Sequence, residues 1–468
     1  MAVMAKRRAA RGPNSGRGQA TAWRGRGAVG RSASLSSLPV AGNPYKAPAS
    51  QRPPRKTLRR HALCSPRGER SFMAHYDAII VGAGPAGASL ALRLARAGRT
   101  CLLADGAHFP RDKVCGEGIM PAGVRVLEEL GLRAALSEHG EPFCGIRYRL
   151  PDGTRAEADF PNGATGLGVW RRALDERLVR AASREPNIDL RLGSWVRDLR
   201  LAADGAPAEV SVGGERVRAP VLVGADGGRS AVRRAAGLAP PLPRDGRFGV
   251  GAHFRHAPFA EGRTRVEVFV HADHEIYTTP VAPDLTCVAL LVRRRHLDAF
   301  RGRLEEELRA RLRAAGERCG VLADSLRVGP VRALGPLGLQ PARAHADGLL
   351  LVGDAAGALD PITGEGLSLA LVTSGIAAEV LVDAYAAGDF SARKLSHWTR
   401  RRAKEVRALA GLTRVVLSLS ERPRLAARAV RNLARSPRTF ERLLGVAAGM
   451  NPIGSLGLRD GLGLLLGV

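Results

Sequence analysis

Gly82, Gly84 and Gly87 follow directly on the apolar run Ala78-Ile79-Ile80-Val81, and that spacing suits the cradling of a diphosphate. The first glycine permits a tight strand-to-helix turn, the second lets backbone approach phosphate, and the third lets helix pack on strand. A helix from about Pro85 to Ala97 would aim its N-terminal amides at the anion. Thr100 to Ala104 reads as the next parallel strand, and Asp105 closes it where a dinucleotide fold places a carboxylate for ribose hydroxyls. A second cluster is Val223-Gly224-Ala225-Asp226-Gly227, and a third is Leu350-Leu351-Val352-Gly353-Asp354. Asp354, at a strand end, can accept hydrogen bonds from a polyol. The loop after it carries Pro361, Gly364 and Gly366 and leads into an apolar helix from about Glu365 to Ala386. The N-terminus of such a helix stabilises negative charge on a reduced ring.

Each motif alone is weak, but the three in this order describe one flavin dinucleotide, FAD. On these residues the chain resembles the para-hydroxybenzoate-hydroxylase-like FAD-dependent oxidoreductases, and looks most like their geranylgeranyl reductase branch, over about Ala74 to Ala410. The resemblance implies that Asp226 and Gly227 form the second flavin motif, which in the hydroxylases also touches nicotinamide. It implies that Asp354 binds the ribityl chain and that Arg171, opening a helix, contacts the flavin. The run Pro110-Arg111-Asp112-Lys113-Val114-Cys115-Gly116-Glu117-Gly118 is similar to a P-x-x-K-x-C-G-x-G signature of prenyl reductases. Tyr277-Thr278-Thr279-Pro280-Val281 is similar to the strand facing the flavin. In one departure, Ala104-Asp105 replaces the usual apolar-Glu pair, a shorter carboxylate that can still reach ribose.

The elements that would position these residues make an α/β fold. A Rossmann-like FAD-binding domain is expected over residues 73–390, interleaved with an antiparallel substrate sheet inserted at about 144–162 and 243–332. A helical C-terminal region follows over 391–468. Helices are expected at Pro121 to Leu130, Arg172 to Ala182 and His296 to Cys319, and over Ala392 to Arg435. Hairpins turn at Pro151-Asp152-Gly153 and Asp204-Gly205.

The formal charge of +28 is concentrated in residues 1–72, which hold sixteen Lys and Arg against one acid, Glu69. This Arg-, Gly- and Ser-rich leader cannot bury a core. It reads as an inert tail or mis-called start before Met73, as an organellar transit peptide, or as a nucleic-acid-binding tail through Arg24-Gly25-Arg26-Gly27. The first is preferred, so no nucleic-acid partner is expected. No apolar run approaches the ~18 residues of a spanning helix. The six cysteines, 64, 101, 115, 144, 287 and 319, show no metal spacing. His253, His256 and His345 read as ordinary side chains, so no metal is expected. A cytoplasmic enzyme without an obligate protein partner fits these features. The Gly/Leu-rich segment from Asn451 to Val468 is either a docked tail or a peripheral membrane contact.

Three functions compete. In the reductase reading, NADH, NADPH or another reductant loads the flavin, and hydride passes to a C=C bond of a prenyl or other apolar substrate. An acid must supply the second hydrogen, and the resemblance places Cys115, Glu117 and Tyr277 near the ring. In the monooxygenase reading, O2 is the oxidant and an aromatic or polyketide ring is hydroxylated. In the third, a flavin-free chaperone of prenylated proteins uses a related fold. The intact glycine loop, Asp105 and Asp354 argue against that one.

Overall fold

A computed structural model of the chain describes residues 74–202, 206–259, 263–457, 460–461 and 463–464. The leader, Met73 and the turn at Asp204-Gly205 lie outside these residues, as does part of the C-terminal tail.

Two sheets carry the site. The first has six strands in the order His345–Ala346, Leu349–Leu351, Val221–Gly224, Ala78–Val81, Cys101–Asp105, Ile188–Leu192. All its pairs are parallel except that of the first two strands. Its central strands are short apolar runs buried along nearly their whole length. That is the composition of parallel strands covered on both faces. The helix Pro85–Arg96 packs against Arg171–Arg184 and Gly366–Ala387.

The second sheet has seven strands: Leu326–Leu334, Arg247–Arg255, Leu285–Arg293, His274–Ala282, Val266–Val270, Gly145–Arg149 and Arg155–Asp159. It is antiparallel save for one parallel pair, Val266–Val270 with Gly145–Arg149. Two smaller sheets complete the fold. Val196–Arg200, Ala208–Val212 and Glu215–Ala219 join Ala74–His75, and Gly118–Ile119 and Gly140–Phe143 flank Gly166–Val169.

The structure departs from the sequence reading in three elements. The helix expected over His296 to Cys319 is a 3-10 segment Arg294–Phe300 and two helices, Leu304–Ala314 and Glu317–Asp324. Gly302 and Gly316, at φ 74° and 66°, break it. The C-terminal helix divides into Ala392–Ser420 and Pro423–Arg435, because Pro423 has no amide with which to continue a helix. Gly366–Ala387, at 22 residues, is long and apolar enough by composition to cross a bilayer, contrary to the expectation that no such run exists. Here it packs against Pro85–Arg96, Pro121–Glu129 and Ala392–Ser420, and an all-round apolar helix suits such multi-sided contact.

Candidate active site

A cavity of about 520 Å³ is lined from both large sheets. It brings together Gly82, Gly84, Asp105, Cys115, Glu117, Arg171, Asp226, Gly227, Tyr277, Asp354, Pro361, Gly364 and Gly366. Gly87 alone of the expected residues stands behind it. A Cβ on Gly87 would lie 1.9 Å from the Gly82 carbonyl oxygen, so this glycine sets helix-to-strand contact. Gly82 has φ 108°, and a Cβ there would meet the Ala225 carbonyl oxygen at 2.5 Å. Gly84 is different: its Cβ would meet only Arg111 Nη2, at 3.5 Å, so the space before it is open on the cavity side.

These residues fit a dinucleotide. Helix Pro85–Arg96 begins at Gly84 with no side-chain cap and no acid in its first turn. Its leading amides are therefore free for an anion. Asp105 accepts the Ala83 amide at 2.9 Å on Oδ2 and the Ala107 amide at 2.8 Å on Oδ1. A carboxylate has about four acceptor positions, so two stay open for ribose hydroxyls. Asp226 Oδ2 caps the short helix Ala231–Ala235 through the Ala231 and Val232 amides, while Oδ1 is buried without a partner. Asp354 sits in a 3-10 turn, Gly353–Ala356, with Lys113 Nζ 3.8 Å from its Oδ2. Trp195, 69% exposed, lies at the Asp105 end, and its ring fills the space a Cβ on Gly106 would need. Nothing local in the sequence marked this indole as part of the site.

The Cys115 loop is fixed from below. Glu117 has φ 59° and is 1% exposed. Its Oε1 accepts the Arg171 amide at 2.9 Å, and its Oε2 lies 2.7 Å from His253 Nε2. Trp170 packs on the His253 ring at 4.6 Å between centroids. With both oxygens engaged, Glu117 clamps the loop to the helix start at Arg171 and to His253. Glu117, His253 and Cys287 bring ligand-type atoms within 4.8 Å of one another, but hydrogen bonds already use them. Cys287 Sγ donates to the Cys115 carbonyl at 3.4 Å. Burial pushes the Cys115 thiol above its ordinary value, the nearby Arg171 guanidinium opposing. Cys115 therefore stands at the cavity as a neutral thiol.

Arg171 is buried in a bidentate pair with Asp175, at 2.9 and 2.8 Å, and Arg111 joins the same carboxylate at 3.1 Å. Two guanidiniums share one carboxylate, so the cluster keeps a net positive charge. Tyr277 is buried, and its hydroxyl donates to the Ile362 carbonyl at 2.7 Å. That bond ties the seven-stranded sheet to the Pro361–Thr363 turn. Burial holds the phenol well above its ordinary value. Met120, Phe143, Val266, Ala289, Leu291 and Leu337 also line the cavity and belong to one apolar cluster, which gives it an apolar chamber.

A glycine-lined cradle at the end of a parallel sheet, faced by a second sheet and an apolar chamber, defines a flavoprotein oxidoreductase. The chain belongs to the family described as FAD binding domain, which matches residues 75–410, and it is an FAD-dependent enzyme. Menaquinone reductase of Mycolicibacterium smegmatis is 31% identical over 327 residues, 65% of this chain and 76% of that protein. Digeranylgeranylglycerophospholipid reductase 1 of Methanopyrus kandleri is 31% identical over 366 residues, 71% of this chain and 87% of its own length. Among solved structures, a flavoprotein/dehydrogenase from Cytophaga hutchinsonii has a TM-score of 0.70 at 20% identity, covering 80% of this chain and 93% of that one. A probable FAD-dependent monooxygenase from Pseudomonas aeruginosa has a TM-score of 0.64 at 22% identity, covering 75% and 98%. At these identities the structural likeness concerns the fold.

Proposed function

We propose that this enzyme reduces a carbon–carbon double bond in the isoprenoid chain of an apolar lipid. The observation that carries the reading is a cavity whose lining joins a dinucleotide cradle to one apolar cluster, Met120, Phe143, Val266, Ala289, Leu291 and Leu337. The relatives named for menaquinone and for digeranylgeranylglycerophospholipid support it, because both lipids carry isoprenoid chains. Bound FAD supplies hydride after loading by NADH, NADPH or another reductant. The chain's own residues do the rest. Asp105, Asp226 and Asp354 offer acceptors to the cofactor's hydroxyls, and the Gly84 turn offers amides to its phosphates. Glu117 and His253 hold the Cys115 loop at the cavity wall, and the apolar chamber excludes water from the lipid.

A substrate of this kind resides in a bilayer, so the reading includes a peripheral membrane contact through the C-terminal helices. Val415, Leu425 and Ile453 are exposed there beside Arg414, Arg422 and Arg424. Apolar side chains ringed by cations suit an anionic lipid surface.

The test is anaerobic reduction of the flavin, followed by mixing with a digeranylgeranylglycerophospholipid in detergent or with O2 and an aromatic substrate. Reoxidation by the lipid, with a product gaining two hydrogens, is the expected result. Reoxidation only by O2, with a product gaining oxygen, would establish the monooxygenase instead.

A further inference from the structure

Glu365 occupies the residue before the helix Gly366–Ala387 and is 4% exposed, yet its carboxyl makes no hydrogen bond and no ion pair among the described residues. A carboxylate at a helix start ordinarily caps the leading amides. This one does not cap them; it lines the cavity, with Oε1 buried and unpartnered. An isolated buried carboxylate is costly, so such a group keeps its proton. Burial accordingly pushes Glu365 well above the usual carboxylate range.

The other acids at the cavity each have at least one donor or cation as partner. Asp105 and Asp226 accept backbone amides, and Asp354 faces Lys113. Asp360 accepts the Ile362 amide and pairs with Arg247 at 3.4 Å, and Arg247 also pairs with Glu275. Glu117 is engaged on both oxygens, and the Tyr277 proton is committed to a carbonyl. The titratable neighbour of Glu365 on the facing sheet is Tyr148, and Tyr277 of that sheet lines the same cavity. Both are neutral phenols, Tyr148 being pushed up to about 12 by burial, with Glu275 and Glu365 adding to the effect.

We propose that Glu365 is the catalytic acid of the reduction, delivering a proton to the alkene carbon that does not receive hydride. The proposal rests on the reductase reading above. The substrate π bond breaks, and hydride from the reduced flavin forms one C–H bond. The Glu365 O–H bond breaks, and its proton forms the other. The lipid gains two electrons and the flavin loses two. Glu365 is left as a carboxylate that recovers a proton from water when the cavity reopens.

The experiment uses holoenzyme of the wild type, Glu365→Gln and Glu365→Asp, reduced anaerobically with one equivalent of dithionite and mixed with a digeranylgeranylglycerophospholipid in detergent, whose double bonds are its only oxidant. Glu365→Gln is expected to slow lipid-driven reoxidation by roughly 10²- to 10⁴-fold, the usual contribution of a positioned acid. Flavin content and reduction by dithionite should stay unchanged, and Asp should restore part of the rate. The wild-type rate should fall as pH rises through the Glu365 titration, and the residual Gln rate should not. Infrared difference spectra of the oxidised protein, which need no turnover, should show a protonated carboxyl band that Glu365→Gln removes. Wild-type reoxidation by Glu365→Gln, absence of that band, or loss of flavin from both variants would overturn the proposal. A wild type that the lipid cannot reoxidise removes the reductase reading and the proposal with it. Failure of Glu365 alone leaves the wild type active, so the two are distinguishable.

Discussion

Glu117 Oε2 stands 2.7 Å from His253 Nε2, which fastens the loop carrying Cys115 to the strand Arg247–Arg255. The same carboxylate accepts the Arg171 amide, so one side chain joins a loop, a strand and a helix start. Glu117→Ala leaves two buried donors without an acceptor, about 1–3 kcal/mol each. We expect unfolding in urea to show a loss of roughly 2–5 kcal/mol, and Glu117→Gln, which keeps one acceptor, a smaller one. An unchanged midpoint for Glu117→Ala would show that the clamp is not structural.

Gly84 and Gly87 are expected to separate folding from cofactor binding. The Gly87 Cβ would sit 1.9 Å from a carbonyl oxygen, whereas the Gly84 Cβ meets nothing nearer than 3.5 Å. Gly87→Ala should therefore destabilise the apoprotein, by about 1–3 kcal/mol or more as overpacking does. Gly84→Ala should melt with the wild-type apoprotein yet fail to retain FAD, because its methyl enters the phosphate space. Thermal melts and flavin absorbance of the two variants check this.

Asp354→Ala should weaken FAD binding while leaving the fold in place. It removes a charged acceptor worth about 1.5–3 kcal/mol, which is roughly a 10- to 150-fold change in dissociation constant. Titration of apoprotein with FAD, followed by flavin fluorescence, measures it. Wild-type affinity would remove Asp354 from the ribityl site.

His274 should make stability fall in mild acid. It is 7% exposed, stacked on His271 at 4.5 Å and placed 3.0 Å from Arg311 Nη1, with Asp273 hydrogen-bonded to its Nδ1. Burial pushes it down to about 4, the Asp273 bond opposing. A base depressed in the fold contributes stability that is complete above its unfolded value, about 6.5, and is lost as pH falls toward 4. The unfolding free energy of the wild type relative to His274→Asn should shrink by about 3 kcal/mol between pH 7 and pH 4. A pH-independent difference would contradict this.

Gly82, Gly84 and Gly87 were readable from the sequence because each answers to a steric demand within a few residues of itself. Asp105 and Asp354 were readable because each ends a short apolar strand. Pairings between distant segments carried no such local mark. The joining of Ala74–His75 to Glu215–Ala219, and of Gly140–Phe143 to Gly166–Val169, depends on tertiary contact. Glu365 opened the expected apolar helix, yet only the fold reveals that its carboxyl is buried and unpartnered. The same holds for Glu117, whose positive φ and two hydrogen-bond partners only the fold reveals.

The order of strands in the six-stranded sheet sets a timetable for biosynthesis. Ala78–Val81 is made early, but Leu349–Leu351, two places away across the sheet, emerges about 270 residues later. At ordinary translation speeds that interval is roughly 15–50 s. For about the last 130 residues of it the edge of Val221–Gly224 waits for its partner, and the growing chain holds the glycine turn without the Asp354 turn. The Asp354 turn is therefore made after the other two cofactor motifs, and until Leu349–Leu351 pairs, the open edge of Val221–Gly224 is a site for wrong pairing.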